Sequence, residues 1–74
     1  MKKSVENIKT ALGMNANVAI TSDKLRFSEL LEIVNKARSC EQRLTLKVCD
    51  NLNANEVRQL LHIGGGFIDL IIMD

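Results

Sequence analysis

A chain of 74 residues holds one small domain, and a domain of that size buries only about 60% of the surface its unfolded chain exposes. Its 46% hydrophobic content is not that of a disordered chain. Ten basic against nine acidic residues, net +1, give no field aimed at nucleic acid or a membrane surface.

The start, Met1, Lys2, Lys3 and Ser4, is basic like the opening of a signal peptide, but Glu6, Asn7 and Lys9 break up any apolar run behind it. No stretch reaches the roughly 20 apolar residues of a membrane-spanning helix. Two cysteines, Cys40 and Cys49, are too few for a disulfide framework, and free thiols fit a reducing compartment. The sequence therefore predicts a cytoplasmic protein, taken as bacterial from its size alone. No linker or low-complexity run divides it.

The first element is a helix over residues 2–12. Val5, Ile8 and Leu12 fall three and four apart and form one apolar stripe, with Lys2, Lys3, Glu6 and Lys9 off it. Gly13 is placed to take the left-handed conformation that ends a helix, with Met14 folding back on the last turn. A strand follows over about 17–21, with Val18 and Ile20 facing the helices and Ala19 and Thr21 facing away. Ser22, Asp23 and Lys24 turn the chain. A second helix runs over about 28–38, capped by Ser28. Phe27, Leu30, Leu31, Val34 and Ala37 form its inner face; Glu29, Glu32, Lys36 and Arg38 form its wet face. Glu32 and Lys36 stand in the favourable i,i+4 order.

The second strand, about 43–49, sets Leu44, Leu46 and Val48 inward and Thr45, Lys47 and Cys49 outward. A third helix, about 55–63, is capped by Asn55, carries Glu56 in its first turn, and turns Val57, Leu60 and Leu61 inward. Gly64, Gly65 and Gly66 end it. A phosphate cradle would need such glycines after a strand and before a helix; here the order is reversed. The last strand, about 67–73, sets Ile68, Leu70 and Ile72 inward. Phe67, Asp69, Ile71 and Met73 face out, so it is apolar on both faces near its end.

Two of these stretches are imperfect copies of one unit. Val18, Ile20, Asp23 and Leu25 lead into Phe27 and the second helix; Leu44, Leu46, Cys49 and Leu52 lead into Ala54 and the third. A truncated copy, Phe67 to Asp74, closes the chain. At these residues the chain resembles a leucine-rich repeat, over residues 17–74. Asp23 stands where that family has Asn or Cys, and Cys49 stands at the same corner. Leu52 comes one residue late, and Asn15 and Glu41 replace the first apolar residue of the pattern. The resemblance implies a parallel-strand solenoid and a binding role. The predicted units are a capping helix (1–14), repeat 1 (17–42), repeat 2 (43–66) and a terminal strand (67–74).

Right-handed crossovers join parallel strands. Thr21, Thr45, Lys47 and Asp69 on the outer side call for a wet sheet face. That predicts an α/β fold, βαβαβ after the capping helix, with a three-stranded parallel sheet in order 1-2-3 and both crossover helices on one face. A doubly wound sheet would need apolar residues at those positions. The last strand then lies at an edge without the Lys or Pro that blunts edges. Its remedy is a homodimer, with last strands paired antiparallel across a two-fold axis. The expected interface comprises Phe67, Asp69, Ile71, Met73, Lys47 and Thr45, and the open sheet face is free for a protein partner.

Catalysis is not expected. His62, the single histidine, has no placed partner, and no spacing suits a zinc site, so neither metal nor cofactor is predicted. Asp50, Asp69 and Asp74 are spread along the chain. The alternative reading is a small nucleic-acid-binding regulator using Lys24, Arg26, Lys36, Arg38, Arg43 and Lys47. It lacks interleaved aromatics, since Phe27 and Phe67 are the only two.

Overall fold

Three helices and three strands alternate along the computed structural model, which describes residues 3–73. Lys2, expected in the first helix, and Asp74, expected to close the last copy, lie outside them. The helices are α1 (Lys3–Gly13), α2 (Phe27–Ser39) and α3 (Ala54–Gly64). The strands are β1 (Val18–Thr21), β2 (Leu44–Val48) and β3 (Ile68–Ile72). Short 3-10 turns cover Ser22–Lys24 and Gly65–Phe67.

The sheet is parallel, in the order β1-β2-β3. Its register stacks Val18, Leu44 and Ile68 in one row and Ile20, Leu46 and Leu70 in the next. Leu44 and Leu46, on the central strand, are fully buried, as are Leu12, Leu30, Ile33, Val34, Ala37 and Leu60 from the helices. Ile33 belongs to this core although the sequence reading passed over it. The shortest dimension of the molecule is 19 Å. That accommodates one helix layer on one sheet, about 10 Å each, and not a second helix layer beneath.

Both helix starts differ from expectation. α3 begins behind Asn53, whose Oδ1 accepts the Glu56 N–H (2.9 Å) while Glu56 Oε1 accepts the Asn53 N–H (3.0 Å). Asn55 instead accepts a hydrogen bond from Arg58 Nη1 (2.9 Å). A glutamate three residues after the cap decides between the two asparagines, because it satisfies a second orphan donor. The same rule displaces Ser28. α2 begins behind Arg26, whose N–H donates to Glu29 Oε1 (2.8 Å), and Ser28 is left exposed. Folding back in this way buries Glu29, which was expected on the wet face. Glu32 reaches across to α1, 3.3 Å from Lys9 Nζ, so it pins two helices together.

The helix ends follow one rule. Asn15 and Glu41 adopt positive φ (64° and 54°), and each lies three residues before its strand. At α1 the N–H of Ala16 bonds to Ala11 O and that of Asn15 to Leu12 O. At α2 the N–H of Gln42 bonds to Ala37 O and that of Glu41 to Arg38 O. These are two copies of the Schellman closure. Gly13 is therefore the last helical residue and not the left-handed one, and Met14 is exposed. Gly65 (φ 59°) occupies the corresponding place before β3. Helix, positive-φ residue and strand thus recur three times, and α1 enters its strand by the same connection as α2.

The turn after β1 is tied to the turn after β2 through a buried serine. The Ser22 hydroxyl donates to Asn51 Oδ1 (2.7 Å) and accepts the Cys49 N–H (2.7 Å), while Asn51 Nδ2 donates to the Ser22 carbonyl (2.9 Å). This polar corner holds neighbouring units in step where the sheet register ends.

Candidate interaction surface

The helices repeat one internal spacing. In α2, Leu30, Ile33 and Ala37 face the sheet and Val34 lies on the flank toward the next unit. In α3 the same spacing gives Val57, Leu60 and Gly64, with Leu61 on the flank. Val34 is fully buried, whereas Leu61 is 42% exposed. The strands behave alike. Val48 and Ile72 are register partners, yet Val48 is 5% exposed and Ile72 64%. Leu61 and Ile72 were both expected to face inward, and both are corrected by the structure. The reason is position. β2 is the central strand and is covered on both sides, while β3 is paired with β2 alone.

Leu61, Ile71, Ile72 and Met73 account for most of the strongly exposed large apolar side chains among the described residues; Met14 is the other. All four lie on the last of the three helix-then-strand units, α3 with β3 and the residue after it. A groove of about 400 Å³ runs between the end of β3 and the start of α3, bounded chiefly by Val48, Leu52, Val57, Ile72 and Met73. Cys49 and Asp50 also line it. Met73 lies just beyond β3, where its N–H extends the ladder to Val48 O (2.9 Å).

The other expected interface residues are placed as follows. Thr45 pairs in register with Asp69, and Lys47 with Ile71, so these four do share the outer sheet face. Asp69 is held by Arg43, whose Nε lies 3.1 Å from Asp69 Oδ2. Phe67 is not a strand residue; it sits half-buried in the 3-10 turn before β3. Leu61 and Ile72 were missed as surface residues; Val57, expected inward, is half-buried against the core. The signal in the sequence is the match of Leu61 to Val34, which says where the side chain points but not whether anything covers it.

Gly64 fixes how closely α3 approaches the sheet. A Cβ there would collide with Ile68 Cγ1 and come within 3.0 Å of Val34 Cγ1. Arg38 completes the end of α3, donating from Nη1 to Ile63 O (3.2 Å). His62 is exposed on α3, and no three His, Cys, Asp or Glu side chains come together among the described residues. No helix among them is long and apolar enough to cross a membrane. The architecture is that of a one-sided α/β layer built from three similar units. No family model, curated protein or solved structure matches the chain.

Proposed function

We propose that this chain is a non-catalytic protein-interaction module, of the leucine-rich-repeat kind, that self-associates through its C-terminal edge. One observation carries the proposal: the last unit exposes, at Leu61 and Ile72, the apolar positions that the middle unit buries at Val34 and Val48. Two copies meeting β3 to β3, antiparallel across a two-fold axis, would cover this face on both partners with one interface. The backbone groups on the free side of β3 would be paired in the same step.

The size of the molecule sets the demand on such a contact. A standard interface takes about 800 Å² from each partner, roughly one sixth of the 4702 Å² this chain exposes. A strand edge alone falls short of that, so the flank of α3 with Leu61 belongs to the interface. Sedimentation velocity across the micromolar range tests the proposal. The wild-type chain should sediment as a dimer, and Ile71→Lys and Leu61→Lys should each shift it to monomer. A wild-type chain that stays monomeric throughout that range refutes it.

A further inference from the structure

β1, the opposite edge of the sheet, is built differently from β3. Among the described residues its four residues pair with β2 alone, so one side of its backbone presents N–H and C=O groups that no described strand pairs. A groove of about 520 Å³ straddles this edge. Ile8, Ile20 and Leu25, all packed on the core, give it apolar walls; Lys24 and Lys47 supply its charge. The apolar side chains here are half-buried, unlike the exposed ones beside β3, so this edge offers another copy little to cover. The ion pairs among the described residues are made by Lys9 and Arg43, which leaves both groove lysines without a carboxylate. Asp23, next to Lys24 in the turn, is exposed and does not line the groove.

We propose that the β1 groove takes an extended segment of a partner protein in which apolar residues alternate with aspartate or glutamate, added to the sheet as a fourth strand. An added strand sends successive side chains to opposite faces of the sheet. In such a segment every second residue meets Ile8, Ile20 and Leu25, and the residues between them bring carboxylates toward Lys24 and Lys47. Main-chain pairing along β1 supplies the affinity, and the lysine pair supplies the choice of acidic over basic segments. Lysines beside an edge strand also deter unwanted pairing. That role alone predicts no saturable binding.

The test uses a short capped peptide of alternating valine and glutamate, with a valine–lysine peptide as control. Fluorescence anisotropy reads affinity and two-dimensional amide NMR reads the site. The glutamate peptide should bind saturably, with amide shifts concentrated at residues 18–21. The Lys24→Gln/Lys47→Gln pair should weaken it roughly tenfold, and the Lys24→Glu/Lys47→Glu pair more, with shift dispersion confirming that both variants fold. Equal binding of the two peptides, shifts at β3 in place of β1, or no saturable binding would each overturn the proposal. So would the same β1 shifts appearing on raising protein concentration alone, since a second copy would then be the occupant.

Discussion

Single residues carry the close fit between the helix layer and the sheet. Gly64→Ala places a methyl group against Ile68 and Val34, and should cost about 2 kcal/mol or more in urea unfolding. Gly66→Ala is the control: no atom of the described residues lies within 4 Å of the added carbon, so its effect should stay within about 0.5 kcal/mol. Glu41 holds a positive φ that asparagine tolerates better and glycine tolerates freely. Glu41→Gly should therefore stabilise the chain by up to about 1 kcal/mol, and Asn15→Gly by less, both read from the urea midpoint. The glycine run was legible as a helix end. Which of its members is excluded by packing was not, because that depends on Ile68 and Val34 arriving from other elements.

At the scale of the element, helix starts are decided by reciprocal satisfaction of donors. The pair Asn53 and Glu56 closes two hydrogen bonds at once; Asn55 followed by Arg58 cannot. Asn53→Ala should cost about 1 kcal/mol, while Asn55→Ala and Ser28→Ala should each cost less than about 0.5 kcal/mol. Thermal unfolding followed by circular dichroism would rank the three. If Asn55→Ala proved the costlier asparagine variant, the start of α3 would be misplaced. The strands were legible to within a residue or two, since alternation in Val18–Thr21 and Leu44–Val48 matches the observed register. Phe67 was not, because an aromatic residue after glycines reads as strand whether or not the chain has finished turning.

For the whole molecule, the decisive feature is the contrast between its two edges. The β3 edge is apolar, so the proposed self-association should persist at high salt, with sedimentation showing the same or a larger dimer fraction. Dissociation by salt would place the contact among the charges of the outer sheet face instead, at Arg43, Lys47 and Asp69. The β1 edge carries lysines, and peptide binding there should weaken as salt rises. The two edges are thus separable by ionic strength alone. A chain in which both contacts responded alike would not have the division of labour proposed.

The amino-acid sequence by itself determined the order of elements, the parallel sheet with β2 in the middle, and the placement of helices on one face. These follow from local periodicity, from the handedness of crossovers, and from the polar residues Thr21, Thr45, Lys47 and Asp69, which call for one wet sheet face. Tertiary structure alone decided which apolar side chains stay uncovered. Val34 and Leu61, or Val48 and Ile72, are the same kind of residue at the same place in the unit. They differ only in whether another unit packs beside them, and burial of that kind is a property of the assembled layer.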